Sequence, residues 1–267
     1  MRTALAIARK ELSIYFTTPW AYVVFTAMLS LSAIFFIGLL EAFRQVQDLA
    51  RTASWNQLPP DFSVYRNLTD GVVVQLWGIV LIITLFVAPF LSMRLFAEER
   101  RNKTFELLMT SPVRPLEIVL GKYLGGLGII SAALGLTILF PVLLSIFGSS
   151  ETGSPLEWST VLLGYGALLL WGATCIAVGM FISSLTESQM LAALLTFAVL
   201  LPWMLLRGLA QTAEEPLRSI LSYLSFDAQL QNLMRGVLDL KAIVFFLSVI
   251  VFSLLLTHRS VEAQRWA

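Results

Sequence analysis

The densest run of ionisable side chains comprises Arg94, Glu98, Glu99, Arg100, Arg101 and Lys103, and it continues to Arg114 and Glu117. On its own such a run reads as an ordinary solvated flank. The rest of the chain offers few groups for bond-making. Gly121-Lys122 is the one candidate for cradling nucleotide phosphates, but a phosphate-binding loop needs GxxxxGK followed by Ser or Thr. Here Tyr123 follows, and no glycine stands five positions before Gly121. No GxSxG sequence supplies a nucleophilic serine, and the single histidine, His258, excludes HExxH zinc hydrolysis. The single cysteine, Cys175, cannot form a disulfide or a thiolate cluster within one chain and reads as a small buried hydrophobe. The chain is therefore expected to be no enzyme, with no metal site and no cofactor of its own.

Composition sets the surroundings in which these residues work. Of 267 residues, 57% are hydrophobic and 13% charged, and the mean hydropathy is +0.80. Soluble domains carry about 25% charge, so a water-soluble enzyme is excluded. With 18 basic and 17 acidic residues the net charge is +1, which leaves no electrostatic footprint for nucleic acid. The apolar residues are gathered into runs of roughly the 20 residues that a spanning helix needs. The predicted fold class is an all-α polytopic membrane protein with six transmembrane helices at 20–40, 72–96, 118–147, 159–183, 190–206 and 240–257, forming one domain over 1–267.

The remaining segments position the charges. Residues 1–18 read as a helix lying along the membrane surface, with Leu5, Leu12 and Phe16 on its apolar side and Arg9 and Lys10 mostly elsewhere on the wheel. Residues 41–71 read as a solvent loop, 97–117 as a short charged loop, and 207–239 as short helices packed at the outer interface. Six spans put both termini on one side, and 11 of the 18 lysines and arginines share it, so the positive-inside rule places both termini and the 97–117 loop in the cytoplasm. Arg94 and Lys122 fall near that boundary, where they can snorkel. The spans hold almost no charge at mid-membrane, so ion-coupled transport has no site there and energy must come from elsewhere. Pro89, Pro141 and Pro202 are candidate kink positions. Gly121, Gly125, Gly128 and Gly135 in the third span, with Gly164, Gly172 and Gly179 in the fourth, form small-residue patterns that let backbones approach, within one subunit or at a homodimer seam.

In FAEERRNKTFELLMTSPVRPLEIVLGK, residues 96–122, Thr104 can cap a short helix, with Glu106 favourable in its first turn. Ser111-Pro112 ends that helix, and Pro115 suits the first turn of the next. Phe105, Leu107, Leu108 and Met109 then carry apolar surface where solvent is expected, and such surface needs a cover. The run EERxxKTFELLxxSPV followed by EIVLGKY resembles the coupling segment of ABC-2 type permeases, the membrane subunits of ABC transporters, and the resemblance extends over nearly the whole chain. The C-terminal stretch, with Phe226, Leu233, Arg235-Gly236-Val237-Leu238-Asp239 and FFLSVIVFSLLLTHRSVEAQRW, is similar to gliding-motility-type (GldF-like) permeases. Lys103 departs from the glycine that many relatives carry before the threonine.

The resemblance implies an ABC-2 permease fold of the type V exporter kind, with 1–18 as connecting helix and 97–117 as cytoplasmic coupling loop. It implies that Thr104, Phe105, Glu106, Leu107 and Leu108, with Ser111 and Pro112 closing the segment, enter a cleft on a separate ATPase subunit that binds ATP and Mg. Glu98, Glu99, Arg100 and Arg101 would brace that contact. It further implies a second permease copy or a related permease as partner, the bacterial cytoplasmic membrane as location, and export of an amphiphile. An alternative is transmission of ATP-driven motion to an extracytoplasmic auxiliary protein, in gliding or secretion, without moving a substrate.

Overall fold

The computed structural model describes residues 2–52, 65, 67–104, 113–148 and 156–263, and among them the regular structure is entirely helical. Six segments are long and apolar enough to cross a membrane: Ala21–Arg51, Thr69–Arg101, Pro115–Phe147, Trp158–Leu185, Gln189–Thr212 and Leu240–Ala263. They are built from α1 (Arg2–Thr17), α2 (Pro19–Thr52), a π-helical stretch Thr69–Val74 leading into α3 (Gln75–Ser92), and the short α4 (Ala97–Arg101). There follow α5 (Pro115–Thr137), α6 (Leu139–Phe147), α7 (Trp158–Leu185), α8 (Gln189–Thr212), α9 (Leu217–Leu224), α10 (Phe226–Met234) and α11 (Leu240–Ala263).

Local sequence explains the main joints. Pro141 has no N–H to donate to the Thr137 carbonyl, and the third span breaks at Ile138 between α5 and α6. Pro89 and Pro202 lie inside α3 and α8, which run through them. Glu41, Arg44, Asp48 and Arg51 end the apolar run of the first span without ending its helix, because the charged residues among them are mostly good helix formers. Gln47 on this extension donates to the Tyr65 carbonyl at 2.6 Å.

The core sits around α7, which is buried along most of its length and packs against α3, α5, α8, α10 and α11. Trp171, Cys175, Ile176 and Met180 are fully enclosed. A Cβ on Gly164 would overlap the Trp77 ring, so only glycine lets α3 and α7 approach this closely. By contrast α2, α8 and α11 expose apolar faces, among them Ile34 and Phe35, Leu194 and Val199, and Val251 and Phe252. Such faces are stable against lipid tails or another apolar surface.

Helices α9 and α10 form a hairpin whose turn lies beside the middle of α7. Phe226 stacks on Trp171 with centroids 3.8 Å apart and planes at 17°. The Trp203 indole of α8 donates to the Leu224 carbonyl at 2.7 Å, and Arg207 pairs with Asp227. The hairpin returns to the start of α7, where Gly236, at φ +80°, lies against Thr160. This end of the bundle is opposite α1 and α4.

Candidate functional site

The candidate site begins with the seat of α1. Ala4, Ala8, Glu11 and Tyr15 are its buried residues and recur at helical spacing, forming a single stripe. The stripe lies on the face of α5 that carries Gly121, Gly125 and Gly128. A Cβ on Gly121 would stand 2.7 Å from Ile7 Cβ and 2.8 Å from the Ala4 carbonyl oxygen, and one on Gly125 would stand 2.6 Å from Glu11 Cβ. Leu12 fills the space at Gly128, whereas Gly135 faces open space. Three of the four glycines singled out in the third span thus form a groove for this chain's own N-terminal helix. Leu5, Arg9, Lys10 and Phe16 point away from the groove and are exposed, and Leu12 is half-buried.

Lys122 follows Gly121 and does not snorkel: its side chain is 2% exposed and meets two carboxylates. Its ammonium lies 2.9 Å from Glu11 Oε1 on α1 and 2.8 Å from Glu99 Oε1 on α4. The Phe96 ring is 5.2 Å away, close enough for a cation–π contact. Tyr15 donates its hydroxyl to the Leu91 carbonyl, and burial, then the Glu11 charge, pushes its phenol above the ordinary range. Arg94 Nε and Nη2 donate to the two Glu98 oxygens at 2.8 and 3.1 Å, a bidentate pair that fixes orientation.

Helix α4 is held from the other side by α7. Ser183 Oγ accepts from the Phe96 and Ala97 amides at 3.1 and 3.0 Å and donates to the Met93 carbonyl at 2.9 Å. It thereby satisfies backbone donors that a helix start leaves open. Arg100 donates to the Ser184 carbonyl at 2.9 Å. Glu98 and Glu99 occupy the first turn of α4 and Arg100 and Arg101 its last, the order that the helix dipole favours.

The end of α4 is a Schellman motif. The Thr104 amide donates to the Glu99 carbonyl and the Lys103 amide to that of Arg100, at 3.0 and 3.1 Å. This motif puts its C′ residue in the left-handed region, and Lys103 has φ 55°. The glycine expected there by resemblance suits that conformation without steric cost. Thr104 is exposed, and α5 opens with Pro115 in its first turn. Phe105, Glu106, Leu107, Leu108, Ser111 and Pro112 lie outside the described residues.

Between α1, α4 and α5 lies a cavity of about 420 Å³, lined by Lys10, Glu11, Ile14, Tyr15, Arg94, Glu98, Glu99, Asn102, Thr104 and Lys122. The structure therefore brings Glu98, Glu99 and Thr104 together with Lys10, while Arg101 is exposed at the end of α4. Glu11, Lys122, Arg94 and Ser183 are the members that sequence reasoning left out of the site. The signal for Glu11 was its register with Ala4, Ala8 and Tyr15. Removing one partner of a buried pair of this kind costs about 3–5 kcal/mol, so these ions fix how three helices meet.

A family model described as ABC-2 family transporter protein matches residues 42–257, which includes the α4 segment, α5 to α10 and most of α11. Among curated proteins no match was found. With six spanning helices and a family match over most of its length, the chain belongs to the ABC-2 transporter family, the multi-pass membrane components that work with ABC ATPases.

Proposed function

We propose that this chain is the permease subunit of an ABC transporter whose ATP and Mg are bound by a separate ATPase subunit. The observation that carries this reading is the clamp on α4. A charged helix, tied to α5 and through Lys122 to α1 on one side and to α7 on the other, leads through Thr104 into residues 105–112. A segment that receives force needs such anchoring, and an ordinary solvent loop does not. In this reading 97–117 is the coupling loop. Thr104, Phe105, Glu106, Leu107 and Leu108 enter the ATPase, Ser111 and Pro112 close the segment, and Glu98, Glu99, Arg100 and Arg101 brace it.

Both termini are then cytoplasmic, and the protein resides in the bacterial cytoplasmic membrane. Exposed apolar faces on α2 and α8 support a dimer with a second copy or a related permease. Spans poor in charge weigh against a small hydrophilic ion more than they favour any one cargo, and the substrate class proposed is an amphiphile. Purification in mild detergent tests the reading: an ABC ATPase should be retained and its ATP turnover altered by the chain. A chain that neither binds such an ATPase nor changes its turnover refutes it.

A second reading, mechanical transmission to an extracytoplasmic protein as in GldF-like systems, draws support from α9. That helix has no buried residue and presents Leu217, Ile220 and Tyr223 openly. Crosslinking from α9 should then capture a second protein.

A further inference from the structure

We infer that the chamber between α1, α4 and α5 holds the headgroup of a bilayer phospholipid of the phosphatidylethanolamine class, with an acyl chain lying between α2 and α3. Such a site stands on the six spans and on the chamber's own chemistry, with or without an ATPase. The charged lining is balanced: Lys10, Arg94 and Lys122 against Glu11, Glu98 and Glu99. Most of that charge is already paired. Lys122 is taken by Glu11 and Glu99, and Arg94 Nε and Nη2 by Glu98. Arg94 Nη1 and Glu99 Oε2 are buried without a hydrogen-bond partner, and Lys10 has no ion pair among the described residues.

A buried donor and a buried acceptor left open in one chamber are costly, and a single zwitterion answers both. A phosphate oxygen can accept from Arg94 Nη1 and pair with Lys10, while a primary ammonium donates to Glu99 Oε2. A ligand of both signs keeps the lining neutral, whereas an anionic headgroup adds negative charge beside three carboxylates. A choline headgroup has the charges but no N–H to donate. The volume, about 420 Å³, suits a ligand of this size.

Water alone could fill a polar space, but the chamber does not end on polar groups. Tyr15 and Arg94 also line a narrow cleft with Val24 of α2 and Phe90 and Leu91 of α3, all three within the spans. Phe90 is exposed, so the cleft opens on the apolar face of the bundle. A charged chamber and an apolar cleft therefore adjoin across the same two side chains, the order in which a phospholipid carries its headgroup and its chain.

The test uses the full chain in detergent micelles doped with phosphatidylethanolamine that carries a photoreactive diazirine on one acyl chain, and mass spectrometry of peptides locates the label after illumination. Label should concentrate at residues 21–24 and 90–93. Unlabelled phosphatidylethanolamine should compete about tenfold better than phosphatidylcholine or phosphatidylglycerol, and soluble glycerophosphoethanolamine should not compete. Ile14→Trp, which fills the chamber without removing a charge, should lower this labelling about tenfold. Lys10→Gln should lower it by a smaller factor, and Arg2→Gln, the same charge change elsewhere on α1, should leave it as it is. If Ile14→Trp fails to fold, Lys10→Gln set against Arg2→Gln decides, because both side chains are exposed. Equal competition by the three lipids reduces the site to a non-specific lipid shell and overturns the proposal, as does wild-type labelling in folded Ile14→Trp or in Lys10→Gln. Competition by glycerophosphoethanolamine as strong as by the intact lipid makes the ligand a soluble zwitterion and overturns the lipid assignment. Each of these outcomes is read without an ATPase, so it leaves the coupling reading to its own test.

Discussion

Lys122 on α5 and Glu11 on α1, 111 positions apart in sequence, meet at 2.9 Å in a site where the lysine side chain is 2% exposed. A lysine at the end of a membrane span ordinarily reaches for water. Here it is turned inward, and the position of the N-terminal helix depends on it.

Lys122→Met leaves the buried Glu11 and the half-buried Glu99 without their shared cation. The expected loss is about 3–5 kcal/mol, read as a lower Tm in detergent and as faster proteolysis of α1. Glu11→Gln/Lys122→Met removes one charge of each sign and should recover part of that loss. A Tm unchanged in Lys122→Met would show that the pair does not hold α1.

The glycine groove makes a contrast inside one helix. Gly121→Ala would place its methyl 2.7 Å from Ile7 Cβ and 2.8 Å from a backbone oxygen, which should cost about 1–3 kcal/mol through overpacking. Gly135→Ala meets nothing within 4 Å and should be neutral or stabilising by up to about 1 kcal/mol through helix propensity. Thermal unfolding of the two variants side by side checks the sign of each.

These two cases show what was legible in the sequence. Hydropathy located the spans because lipid demands long apolar runs, and the spacing of Gly121, Gly125 and Gly128 marked a close contact. It did not name the partner, since small residues fit any backbone. Glu11 was missed because a charge inside a buried stripe looks like a solvent-facing residue until its counterion is placed, and Lys122 lies 111 positions away. Polarity puts the end of the first span at Leu40, and its helix continues to Thr52 on residues that favour helix.

Lys103 is a direct probe of the α4 terminus. A non-glycine residue in the left-handed region costs about 1–2 kcal/mol, and Lys103 sits there at φ 55°. Lys103→Gly should raise Tm by relieving that cost, and Lys103→Val should lower it. The reverse order would refute the Schellman assignment.

At the opposite end, Phe226 and Trp171 anchor the α9–α10 hairpin through their stack. Phe226→Ala should cost about 3–5 kcal/mol, and a double-mutant cycle with Trp171→Leu should return a coupling of about 0.5–1.5 kcal/mol. Zero coupling would mean that the rings touch without holding the hairpin in place.

In the proposed function the segment after α4 is where an ATPase grips this chain. Replacing residues 104–109 by a Gly/Ser linker of equal length, and measuring ATP turnover of the co-purified ATPase, tests it most directly. The wild-type chain should retain and stimulate the ATPase, while the linker variant keeps its Tm and loses both effects. Retention and stimulation at wild-type levels by the linker variant would contradict it.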